Sequence, residues 1–128
     1  METKFISQIC TTREQSERLL KLGLKKETAD MVLVPSSRHD GSDVIRVRKS
    51  YLMEEDAIPA WSMHRLIALI PRTIKDMLAL CVYNNAVIYD GLGYVKEFKA
   101  SESLYDNLID CIAWLIDYEY MYNDYLED

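Results

Sequence analysis

The sequence predicts an α+β domain, and three observations predict it. Two alternating segments, Leu78 to Tyr83 and Ala86 to Tyr89, flank a two-residue connection and read as a hairpin. Leu104, Leu108, Cys111 and Leu115 step by four, three and four residues, the stripe of an amphipathic helix. Helical segments come before the strands rather than between them, so the order is N-terminal helices, a three-stranded antiparallel meander, then a long C-terminal helix packed on the sheet. At 128 residues the chain fits a single domain spanning 1–128, large enough to bury an ordinary core.

Thr11 and Thr12 precede Glu14 and Gln15 at capping-box spacing, Leu19, Leu20 and Leu22 follow, and Gly23 ends the segment, which predicts a helix over about 12–22. A second helical stretch, about Lys26 to Val32, follows and stops before Pro35. Ser36 to Ser42 reads as a loop around Asp40-Gly41, and Val44 to Arg48 as a short edge strand. Pro59-Ala60-Trp61-Ser62 leads into Met63 to Ile70, a short helix with Ser62 as N-cap and Pro71 as its end. It is apolar nearly all round, so we place it centrally with Trp61 as a core anchor.

Asn84-Asn85 tolerates the positive φ of a type I′ turn. That register pairs Val82 with Val87 and Leu80 with Tyr89 on one face, and Cys81 with Ile88 and Tyr83 with Ala86 on the other. Both faces are apolar, so both should be covered, with Leu80, Val82, Val87, Leu108, Cys111 and Leu115 in the core. Asp90-Gly91-Leu92-Gly93 turns the chain into a third strand, Tyr94 to Lys99, whose Lys96, Glu97 and Lys99 suit an exposed edge.

The closing helix starts at Ser101 or Ser103. From Ser101 to Asp128 the chain carries eight acids and neither Lys nor Arg. Drawn as one helix to Tyr125, this stretch is about 37 Å long and its acidic, Tyr-rich tail from about residue 117 projects past the sheet. Asp106, Asp110, Asp117 and Asp124 then fall within about 40° of one another, with Trp114, Tyr118, Met121 and Tyr125 as a separate line beside them. Aromatic residues and methionine are enriched where proteins meet, so this line and its acidic neighbour are the candidate partner-binding residues. The competing reading packs the line on the first helix of the same chain.

The charge is lopsided. Residues 1–76 carry 13 bases and 11 acids, while residues 77–128 carry 2 bases and 10 acids, so the second half repels phosphates and favours basic partners. Three scattered cysteines, Cys10, Cys81 and Cys111, suit neither a disulfide framework nor a zinc site, and with a polar start this points to the cytoplasm. His39 and His64 have no nucleophile or second ligand beside them in the sequence pattern, so neither an enzyme site nor a cofactor is expected. No apolar run is long enough for a membrane span.

The run Ile58-Pro59-Ala60-Trp61-Ser62 through Leu66, Leu69 and Ile70-Pro71, a hairpin, and then Ala100-Ser101 with Leu104, Asp106, Ile112, Trp114 and Leu115 resembles a family of small uncharacterised proteins in Bacteroides genomes, often in prophage or other mobile elements. The resemblance covers roughly residues 15 to 116 and is carried by apolar, structural positions. It implies a fold and a mobile-element setting, brings no activity or binding residue with it, and leaves out Tyr118 to Asp128.

The function expected is therefore that of a non-enzymatic module binding a protein partner or a second copy of itself. Two alternatives compete. Gln15, Leu19, Gly23 and Thr28 have the spacing of a helix-turn-helix over 12–32, with Lys25 and Lys26 opening the second helix, although five bases against four acids over 13–30 make nucleic acid an unfavoured partner. The aspartate line, about 27 Å from Asp106 to Asp124, would instead mimic nucleic acid.

Overall fold

A computed structural model describes residues 7–35, 43–47 and 57–128. The predicted loop at 36–42, with His39 and Asp40, and the residues from Arg48 to Asp56 lie outside them. Among the described residues, two antiparallel sheets and three helices make an α+β architecture.

The first helix, α1, runs Arg13–Lys21 from Thr12, whose hydroxyl accepts from the Gln15 N–H while Gln15 returns the bond to the Thr12 N–H. It ends at Gly23, whose φ of +102° suits glycine, with the N–H groups of Gly23 and Leu24 donating back to Leu20 and Leu19.

The second predicted helix is not there. Lys26–Thr28 forms a single 3-10 turn, and Met31–Pro35 is strand β1, paired with β2 (Asp43–Val47) on one side and β3 (Ile58–Ala60) on the other. The reason lies in Met31-Val32-Leu33-Val34, an apolar run with β-branched residues that is enclosed by two neighbours. A recognition helix over residues 26–32 is therefore overturned, and the helix-turn-helix with it.

Trp61 is fully buried, as expected of an anchor, and its indole N–H donates to the Thr28 hydroxyl at 2.9 Å. Ser62 caps α2 (Met63–Leu69) and is itself held by both carboxylate oxygens of Asp30, at 2.9 and 2.6 Å. The helix is less enclosed than expected: Leu66 and Leu69 are buried, but His64 and Ala68 face out.

The meander gains a strand at its start and becomes four, β4 (Thr73–Ile74), β5 (Leu78–Val82), β6 (Val87–Gly91) and β7 (Tyr94–Phe98), in spatial order. Leu80 with Tyr89, Cys81 with Ile88 and Val82 with Val87 pair as predicted, and β7 is an edge strand. Neither Asn84 nor Asn85 has positive φ; instead the Asn85 carbonyl accepts from Asn107.

One face of this sheet packs on α3 (Leu104–Asp117), burying Leu78, Val87, Tyr89 and Phe98 against Leu108, Cys111 and Leu115. Leu80 and Val82, expected in the core, are only half-buried. The other face is open, contrary to expectation: Ala79 and Val95 are exposed and Cys81 and Ile88 half-covered.

The long tail helix is also overturned. Helix α3 stops at Asp117, Tyr118 closes it, and the chain folds back through a 3-10 turn at Asn123–Tyr125. Lys25 donates to the Tyr125 carbonyl at 2.8 Å, Glu127 to that of Gly23 at 2.7 Å, and Leu24 bridges to Leu126. The tail is latched to the end of α1.

Candidate partner cleft

Folding back splits the predicted aromatic line into two groups. Met121 is 4% exposed and Tyr125 half-buried, both packed with the main core cluster. Tyr118 is 58% exposed, and Trp114 sits half-buried where the end of α3 meets the sheet. The competing reading packs the whole line on the first helix; Met121 and Tyr125 instead pack on the main core cluster, of which Leu19 of α1 is one member, and Tyr118 does not pack there.

The aspartates separate likewise. Asp106 accepts from Gln15 at 2.7 Å and from the Ser101 hydroxyl at 3.2 Å, and Asp110 pairs with Arg18 at 2.9 Å, so both face α1. Asp117 is exposed on the last turn of α3, and Asp124 lies off that helix. The continuous acidic line required for nucleic-acid mimicry does not form.

Around Trp114 the structure brings together residues from three parts of the chain. Its ring lies 6.1 Å from Tyr89, 5.6 Å from Phe98, 5.4 Å from Tyr118 and 5.5 Å from Tyr120. These separations suit offset and edge-on aromatic contacts. Trp114, Tyr118, Tyr120 and Tyr94 wall a cleft of about 440 Å³, with Met77 and Leu78 beneath. Lys96 from β7 stands 5.8 Å over the Trp114 ring and 5.4 Å over Phe98, and Lys75 from the β4–β5 turn stands 5.6 Å over Tyr120. The neighbouring Tyr120 side chain raises that ammonium above its usual value.

Left-handed backbone occurs in the turns that carry the residues of this cleft. Among the described residues, the non-glycine positions with positive φ are Lys75 (56°), Asp76 (58°), Leu92 (49°) and Glu119 (62°). Lys75 lines the cleft, Asp76 follows it, Leu92 begins the turn into Tyr94, and Glu119 sits between Tyr118 and Tyr120. Each such residue costs about 1 kcal/mol or more, which the surrounding fold must offset. The Met77 N–H closes the first turn on the Ile74 carbonyl at 3.2 Å, and Gly91 packs so closely on it that a β-carbon there would lie 1.9 Å from the Met77 carbonyl oxygen.

Sequence reading found Trp114 and Tyr118 but missed Tyr94, Tyr120, Lys75 and Lys96. Lys96 carried a signal, a base in an otherwise acidic half, that edge protection explained equally well. Lys75 carried none.

Burial pushes the Cys111 thiol up to about 12, with Asp110 adding to it, and Cys10 up to about 11, with Asp30 adding to it. Neither setting favours the reactive thiolate. Among the described residues, no group of His, Cys, Asp and Glu is arranged to hold a metal, and no helix is long and apolar enough to cross a membrane. No protein-family model, curated protein or solved structure matches the chain, so the cleft itself carries the functional argument.

Proposed function

We propose that this chain is a non-enzymatic, cytoplasmic protein-interaction module whose partner surface is the aromatic cleft at Trp114. The observation that supports it is the clustering of four aromatic side chains around one cleft, Tyr94 and Tyr118 exposed and Trp114 and Tyr120 half-buried. Tryptophan and tyrosine dominate binding energy at interfaces because each offers large contact area for little lost rotamer freedom. Of the partner residues expected from sequence, Trp114 and Tyr118 stay in this reading, and Asp117 borders it. Met121, Tyr125, Asp106 and Asp110 are engaged within the chain, and Asp124 is on the latched tail.

The test compares the wild type with Tyr94→Ala combined with Tyr118→Ala, two exposed positions whose truncation leaves the core intact. Light scattering reads self-association, and immobilised protein reads capture of a partner from the cells the protein comes from. A second copy or a specific protein held by the wild type and lost by the variant is the expected result. Equal retention by both, or none by either, overturns the reading.

A further inference from the structure

The rings of the cleft already have their cations. Lys96 stands over Trp114 and Phe98, and Lys75 over Tyr120, so a basic ligand would compete with two ammonium groups already placed at the rings. The unanswered chemistry lies with the lysines. Lys75 and Lys96 both line the cleft beside its rings, and among the described residues neither is in an ion pair, as is also true of exposed bases elsewhere such as Lys21 and Lys26. Two unpaired ammonium groups above an aromatic floor call for a ligand that is anionic and apolar at once.

Three facts narrow its class. The volume, about 440 Å³, falls within the usual range of ligand clefts, roughly 300–1,000 Å³, so the site takes a few side chains and not a flat face. Beside it runs β7, the terminal strand of its sheet, whose Tyr94 and Lys96 line the cleft two residues apart, as an extended partner segment would read them. Outside the rim stand Asp76, Asp117 and Glu119, all exposed. A nucleic acid needs many phosphate contacts to bind, and two lysines do not supply them; the neighbouring acids limit an anionic ligand to the few carboxylates that reach the lysines directly.

We infer that the cleft binds an acidic peptide segment of a partner protein, seating an aromatic or branched side chain against Trp114 and flanking carboxylates on Lys75 and Lys96. This rests on the reading of the cleft as the partner surface.

The signal is in the protein already: Trp61 is fully buried, so a change in tryptophan emission or quenching on adding ligand reports Trp114. The full chain is titrated with a short capped peptide alternating Glu and Phe, with its Gln-for-Glu and Lys-for-Glu counterparts, and with ADP. The Glu peptide should shift the emission and protect it from acrylamide, the Gln peptide should bind at least about tenfold more weakly, and added salt should weaken the Glu peptide alone. Lys75→Gln with Lys96→Gln should cost about tenfold while the melting curve stays in place. Equal binding of the Gln peptide, preference for the Lys peptide or for ADP, or no response to any of them overturns the inference. If partner capture falls with the Tyr94 and Tyr118 changes but survives the two lysine changes, the cleft stands as a partner surface and the acidic-peptide assignment fails.

Discussion

The Tyr120 N–H donates to the Leu115 carbonyl at 2.7 Å, and this bond turns the chain at the end of α3. Glu119 donates to Ile116 at 3.1 Å in the same motif, with its φ at 62°, where a side chain is strained. The fold-back that gives the cleft its Tyr120 wall depends on a non-glycine residue in a glycine conformation.

Replacing Glu119 by Gly should therefore stabilise the protein. Relief of left-handed strain outweighs the added freedom of the unfolded chain, for a net gain of about 0.5–1 kcal/mol in chemical denaturation. A loss of stability would mean that the Glu119 side chain does more than tolerate its conformation.

Met121 and Tyr118 lie three residues apart and should respond oppositely. Met121→Ala removes a side chain 4% exposed and should cost about 2–5 kcal/mol, whereas Tyr118→Ala should stay within about 0.5 kcal/mol of wild type. Thermal melts of the two variants decide it, and equal losses would contradict the described tail.

Gly91→Ala should cost about 3 kcal/mol, because its β-carbon would fall 1.9 Å from the Met77 carbonyl and force β6 away from the β4–β5 turn. Moving that turn moves Lys75, so acrylamide should reach Trp114 more easily at temperatures where the variant is still folded.

Asn107 is fully buried and fully bonded. Its side chain accepts from the Ser101 N–H at 3.0 Å and donates to the Asn85 and Ser101 carbonyls at 2.9 and 2.8 Å, tying the hairpin loop to the start of α3. Asn107→Ala leaves those backbone groups without their partner, and the expected cost is about 2–3 kcal/mol by urea unfolding.

Alkaline pH should destabilise the fold. Burial first, then Asp110, raises Cys111 from 9.0 to about 12, and burial likewise raises Tyr89 and Tyr105. The folded state keeps protons that the unfolded state releases, so this stability is complete below about pH 9 and is lost as pH rises toward 12. For Cys111 alone the loss at pH 11 is about 2–3 kcal/mol. Melting temperatures from pH 7 to 11 should fall above 9, and more shallowly in Cys111→Ala.

The parts legible in the sequence are those set by near neighbours. Thr12 with Gln15, Ser62 as a cap, the Leu104 to Leu115 stripe and the pairing of Leu80 with Tyr89 all follow from residues within a turn or a hairpin of one another. Extending the α3 pattern to Tyr125 failed because Tyr118, Met121 and Tyr125 continue the helical period of Trp114 past the end of the helix. Their spacing could not register that Leu24 and Lys25, about a hundred residues earlier, would bind Leu126 and Tyr125.

By itself, then, the sequence determined an α+β chain with a capped first helix, a hairpin in its register, and an amphipathic closing helix, because capping and hydrophobic period act over a few residues. Only the tertiary structure decided that Met31–Pro35 is a strand, that α3 ends at Asp117, and that Lys75, Tyr94, Lys96, Trp114, Tyr118 and Tyr120 share one cleft. Those outcomes turn on contacts between distant segments, where the hydrogen bonds and buried area of a docked partner outweigh what the local chain would choose alone.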